Sequence, residues 1–326
     1  MRRTLLTAIF AAVSVVIFAL AAVNASLSGG SDGPRSKLTL IAPAAPGGGW
    51  DGFAREAQQG MRASGIVGTV QVVNIPGASG TIGLGQLVGM EGREDLLMVT
   101  GGVMIGGIVI NDSSVTLERT VPIARMADDY NVLVVPADSP FETLDDFMVA
   151  LAEDPGGTAI AGGSLGGIDH LLAGMLASEA GISPSAINYL AYPGGGEVVT
   201  SMLSHTAKAG LSGYNEFRDQ IESGNLRALG ISAPDPVAEI PVPTFIEEGV
   251  DVEMSNWRGY VAPPGISDEV RDDLIEIVTE LRDSEEWQET MQRNNWVDTF
   301  MTGDAFSAFI DEEMTRTDAV VQEMGL

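Results

Sequence analysis

Four glycine-rich loops hold the residues best suited to chemistry in this chain: Pro43-Ala-Ala-Pro-Gly-Gly-Gly-Trp-Asp51, Asn74-Ile-Pro-Gly-Ala-Ser-Gly-Thr81, Gly162-Gly-Ser-Leu-Gly-Gly-Ile-Asp-His170 and Tyr192-Pro-Gly-Gly-Gly-Glu197. Each follows an apolar run of strand character and leads into residues at helical spacing. A turn of that kind leaves backbone N–H groups unpaired at a helix N-terminus, facing whatever lies in front of them. The chemistry on offer is anion binding by the main chain. One such loop proves little, because glycine also serves wherever the backbone needs positive φ. Four of one type point to a shared site.

Catalytic chemistry finds less support. His170 and His205 are the only histidines and there is no cysteine, so disulfides, thiolate metal sites and cysteine nucleophiles are excluded. Ser164 and Asp169 lie near His170, but neighbours on one loop-to-helix turn rarely form a triad, and no Gly-x-Ser-x-Gly elbow is present. A helix-start histidine that bonds its loop or a ligand is the better reading. Carboxylate pairs such as Asp128-Asp129 and Asp145-Asp146 read as solvated surface and not as metal ligands. Gly83-Leu-Gly85-Gln-Leu-Val88 starts like a dinucleotide fingerprint, but it ends in valine and follows a turn instead of a strand. No glycine loop ends in the Lys-Ser/Thr of a phosphate loop. No metal and no cofactor is expected.

The elements that must position these loops alternate strand and helix, which predicts an α/β fold with a largely parallel sheet. Strands are expected at Lys37 to Ile41, Thr69 to Ile75 and Asp95 to Thr100, with helices from Trp50 and over Gly80 to Met90. Val121 to Met126 and Asn131 to Pro136 read as two strands passing into a second lobe. There Thr143-Leu-Asp-Asp146 starts a helix, followed by strand Thr158 to Ala161, helix Ile168 to Glu179, strand Ala186 to Leu190 and helix Glu197 to Ser204. Ala207 to Leu211 and Leu226 to Ser232 flank a helix at Tyr214 to Ser223. Trp257 to Pro264 reads as the return crossing, and three amphipathic helices follow, with Ser267 and Thr302 as caps. Residues 1–25 have the make-up of an export signal, Arg2-Arg3 before an apolar run; an uncleaved anchor competes with cleavage after Ala25. Residues 26–36 have linker composition.

The 326 residues allow two domains of ordinary size. With 45 acidic residues against 17 basic ones, the formal charge of −28 argues against nucleic acid as a partner. It also means that an anion must be held by local donors against the field of the whole molecule.

In order and spacing, Pro43 to Asp51, Asn74 to Gly80, Gly163-Ser-Leu-Gly-Gly-Ile-Asp-His-Leu171, Tyr192 to Gly196, Pro243-Thr-Phe-Ile-Glu-Glu-Gly249 and Trp257-Arg-Gly259 resemble the substrate-binding proteins of tripartite tricarboxylate transporters, the TctC or Bug receptors. The likeness covers nearly everything after Lys37. It implies a two-lobed, type II periplasmic-binding-protein-like α/β fold with the ligand cleft between lobes: 37–130 and 256–326 in the first lobe, 131–255 in the second. It further implies a non-enzymatic extracytoplasmic receptor, a monomer, that closes over a small di- or tricarboxylate and delivers it to integral membrane transporter subunits.

Carried over by position, the resemblance implies ligand contacts from Ala45, Gly48, Gly49, Asp51, Ala78 and Ser79 on one wall. Ser164, Gly166, His170, Tyr192, Gly194 and Gly195 would form the other. Gly167 departs from the pattern, standing where many relatives have serine or threonine, and the family's lipoprotein cysteine has no counterpart. Asp51 in an anion site would work through a water, through a ligand hydroxyl or amine, or as the cap of its own helix. A sensor presenting its ligand to a membrane kinase, and an extracytoplasmic enzyme on a receptor-like fold, are the alternatives.

Overall fold

A computed structural model describes residues 33–192 and 194–325; the expected signal or anchor at 1–25 lies outside the described residues. The first sheet forms where apolar runs meet turn-forming glycines. Strands β1 (Lys37–Ala42), β2 (Thr69–Asn74) and β3 (Leu96–Gly101) are parallel, with β1 in the middle. Helix α1 (Gly49–Ala63) buries Phe53, Ala54, Ala57 and Met61 on that sheet, the stripe its sequence spacing predicts. Helix α2 (Thr81–Val88) follows a tight 3₁₀ turn at Ala78–Gly80.

The next element departs from the sequence expectation. Gly102–Ile110, which reads as neither helix nor strand, is helix α3. Its glycines and β-branched residues have poor helix propensity, and tertiary burial overrides that. The two strands expected between 121 and 136 are one, β4 (Val121–Pro136). Its first part pairs with the first sheet and its last part with a second sheet.

The second sheet is built on helices α4 (Leu144–Glu153), α5 (Ile168–Glu179), α6 (Gly195–Leu203) and α7 (Tyr214–Glu222), and on strands β5 (Ile160–Gly162), β6 (Tyr189–Ala191), β7 (Ala209–Gly213) and β8 (Leu226–Ile231). β5 lies parallel between β6 and β7, while β7 and β8 pair antiparallel with β4. Ala186, expected in a strand, sits instead in a 3₁₀ turn at Pro184–Ala186, because Pro184 starts a turn and cannot donate to a ladder. Thr143 and Asp146 form the expected reciprocal cap on α4. Alternation along β4 separates two cores: Leu133 and Val135 face Phe147, Leu172 and Phe245, whereas Val132 and Val134 face Met202, Tyr214 and Phe217.

β9 (Ser255–Ala262) returns between β3 and β4, antiparallel to both, as Trp257-Arg-Gly259 suggested. Helices α8 (Asp268–Asp283) and α9 (Glu285–Arg293) close the first core, and Ser267 accepts the Val270 N–H as its cap. A short strand, β10 (Met301–Thr302), pairs with β4. Helix α10 (Gly303–Met324) begins against the first core through Phe306 and Ile310 and ends in the second through Val321 and Met324. Thr302 precedes α10 but makes no side-chain cap bond. No helix among the described residues is long and apolar enough to cross a membrane.

Candidate functional site

The glycine loops meet at a cleft of about 510 Å³, within the range of small-molecule sites. One wall is the loop before α1 (Pro43, Ala44, Ala45, Gly49, Trp50) together with the turn Pro76 to Gly80. The opposite wall carries Gly163, Ser164, Gly167, Ile168 and Asp169, with Ser212, Gly213, Asn215 and Glu216 beside them. Asp129 of β4 and Asn256 and Arg258 of β9 form the floor, where the chain crosses between the sheets.

The first wall offers donors. Gly48 stands at the N-cap of α1 and no side chain caps that helix, so its first N–H groups face the cleft with the positive end of the helix dipole. The loop is held by Asp51, which is 3% exposed. Its carboxylate accepts from Arg55 Nε at 2.9 Å, Gly47 N–H at 2.8 Å and Asn74 Nδ2 at 2.8 Å. The Arg55 bond foremost, with those from Gly47 and Asn74, holds the Asp51 carboxyl at about 2. Asp51 thus fastens the loop from behind instead of capping α1.

A depressed carboxyl pKa adds stability that is present above the unfolded value and lost as pH falls through the folded one. Because Arg55 is half exposed, we expect Asp51→Asn to cost only about 1 kcal/mol in urea unfolding at pH 7. The difference from wild type should persist down to about pH 4 and vanish towards pH 2; a pH-independent difference would show that the lost packing, and not the charge, matters.

The floor is ionic. Asp128 and Asp129 are 2% and 8% exposed, which corrects their reading as solvated surface. Arg125 Nε donates to Asp128 at 2.8 Å, with Thr299 Oγ1 adding a bond of 2.7 Å. Arg258 donates to Asp129 at 2.8 Å and lies over the Trp296 ring at 5.1 Å. Burial raises the Asp129 carboxyl, and the Arg258 charge pulls it back. Arg258 also reaches the start of α1: a Cβ on Gly49 would sit 3.6 Å from its guanidinium.

On the second wall the loop donors are occupied by the chain itself. Gly163 N–H donates to Asp169 Oδ2 at 2.7 Å, and Asn131 Nδ2 donates to Asp169 Oδ1. Burial pushes the Asp169 carboxyl up to about 6, against those two bonds. Glu216 lies across the N-terminus of α6, its carboxyl carbon 2.6 Å from where a Gly195 Cβ would be. His170 Nδ1 accepts the Gly166 N–H at 3.0 Å, its ring 4.4 Å from that of Tyr189, and burial lowers its pKa, so it is a neutral brace for the loop.

Of the positions taken from the resemblance, Ala45, Gly49, Ala78, Ser79 and Ser164 line the cleft. Gly48, Asp51, Gly166, His170, Tyr192, Gly194 and Gly195 are not among the lining residues; Tyr192, for example, donates through its hydroxyl to Ser201 Oγ at 3.1 Å. Sequence reasoning missed Asp129, Asp169, Asn215, Glu216, Asn256 and Arg258 as cleft residues. The available signals were Asp169 inside the Gly163 to Leu171 motif and Arg258 inside Trp257-Arg-Gly259.

Comparison with known proteins gives a consistent result. The family model described as "Tripartite tricarboxylate transporter family receptor" matches residues 53–326. Protein BugT of Bordetella pertussis is 29% identical over 298 residues, 90% of each chain. A solved structure from R. palustris, Rpa4515 with adipate, superposes with a TM-score of 0.78 at 19% identity, covering 90% of this chain and 99% of that one. MatC of Rhodopseudomonas palustris with bound malate gives 0.75 at 18% identity, covering 88% and 99%. At such identities the two structures establish likeness of fold.

Proposed function

The chain belongs to the tripartite tricarboxylate transporter receptor family, and from that premise we propose that it is an extracytoplasmic solute receptor that closes its lobes over a small carboxylate. We take residues 37–130 with 256–326 as one lobe and 131–255 as the other. The observation that carries this reading is the uncapped start of α1 facing the cleft with Arg258 beside it. Helix-terminal N–H groups and a guanidinium are the donors a carboxylate needs to offset its lost hydration. Likeness of fold to proteins solved with malate and adipate agrees with that choice.

Delivery would be to integral membrane transporter subunits, with no chemical change to the ligand. His170 as a loop brace and the want of a nucleophile-base pair in the cleft support a receptor over an enzyme.

A thermal-shift panel of carboxylates against matched neutral compounds at fixed ionic strength tests this. A carboxylate at about 1,000 times its dissociation constant should add about 4 kcal/mol and raise the midpoint by several degrees. Shifts from neutral compounds alone would refute it.

A further inference from the structure

The two walls differ in sign. The first presents helix N–H groups and, at the floor, Arg258; the second presents Asp169 and Glu216, with Asp129 on the floor beside Arg258. Three carboxylates against one guanidinium leave the cleft with an excess of negative charge. The Glu216 charge is felt by the others, since it helps raise the carboxyls of both Asp129 and Asp169. Arg258 is committed to Asp129 and the first wall. Among the described residues no cation pairs with Asp169 or Glu216; Asp169 has only the Gly163 N–H and the Asn131 amide as donors.

We propose that the ligand is a carboxylate that also carries an ammonium group, its carboxylate on the start of α1 and Arg258, its ammonium against Asp169 and Glu216. The proposal rests on the receptor reading above and narrows its substrate class. A second carboxylate on the ligand's far end would meet Asp169 and Glu216 as a like charge. An ammonium there relieves the repulsion between them.

An independent observation points the same way. Asn131, 1% exposed, is bonded to Asp169 through Nδ2, and its Oδ1 has no hydrogen-bond partner. A buried acceptor without a partner beside a carboxylate asks for a donor, and an ammonium brings three. A metal ion is the other cation to consider. Among the described residues, no three acidic or histidine side chains stand close enough together to share one.

Isothermal titration calorimetry with matched pairs tests the assignment: aspartate and succinate, glutamate and glutarate, γ-aminobutyrate and butyrate, 5-aminovalerate and valerate. Each pair differs by one ammonium in place of hydrogen. In at least one pair the amino compound should bind about 10-fold or more tighter. Glu216→Gln, a change at an exposed position that leaves the fold intact, should remove about 10-fold of that preference while the desamino partner binds no worse. Asp169→Asn should act in the same direction.

Binding of desamino carboxylates equal to or tighter than that of their amino partners in every pair overturns this inference and leaves the receptor reading standing. Failure of every carboxylate to bind, with or without an ammonium, removes both.

Discussion

Arg258→Met is expected to cost about 3–5 kcal/mol of stability and to weaken ligand binding by about 30-fold or more. The stability loss does not come from the missing attraction alone. Asp129 is 8% exposed, and without its partner at 2.8 Å it is a buried charge with no counterion. Burial then raises its carboxyl unopposed. For an acid whose folded pKa lies above its unfolded one, stability is greatest at low pH and is lost as pH rises through the folded value. The variant should therefore weaken between acid and neutral pH, where the wild type keeps the pair.

Adding Asp129→Asn should restore most of the stability, because the double variant buries no net charge, yet binding should stay lost. Urea unfolding at two pH values, with calorimetric titration of the ligand, separates the effects. A double variant that binds normally would remove Arg258 from the site.

Gly106→Val is the second large effect, and it acts on closure instead of charge. Gly106 lies on α3 among residues of the first core, and a Cβ there would come 2.3 Å from the carbonyl oxygen of Gly166, in the loop that opens α5. Backbone cannot yield as a flexible side chain would. The valine must hold the two walls apart, while α3 itself suffers only the modest propensity change of a buried helix. We expect affinity to fall about 10- to 100-fold through loss of the closed population, with a larger radius of gyration by X-ray scattering. Unchanged scattering with unchanged affinity would mean that this contact does not limit closure.

How much of this could be read from the sequence depends on the range of the interaction. The loops, the reciprocal cap at Thr143 and Asp146 and the stripe of α1 were legible because each is a local pattern. Helix α3 was not, since Gly102-Val-Met-Ile-Gly-Gly-Ile-Val-Ile110 is apolar on every side and shows no period. β4 was split at Asp128-Asp129 because two adjacent carboxylates look like a surface break. They stay in the strand because Arg125 and Arg258 neutralise them, and Arg258 lies 129 residues away from Asp129. For the same reason the ionic floor of the cleft was invisible, and so was the place of Asp169 and Glu216 in its second wall. Local spacing located the donors; their carboxylate neighbours emerge only when both sheets are in place.

β9 lies between β3 and β4 although it is the last of the three in the chain. Its position makes the molecule a natural split protein. The long connection before it, 232–254, is where a cut would divide the chain into two pieces, and neither piece would then own a whole first sheet: one would hold β3 and β4 with a strand-wide gap between them, the other the strand that fills it. The seam runs through the centre of a sheet, so the two fragments are bound by two ladders of backbone hydrogen bonds, and reassembly of the halves would rebuild Arg258 beside Asp129 in the same step.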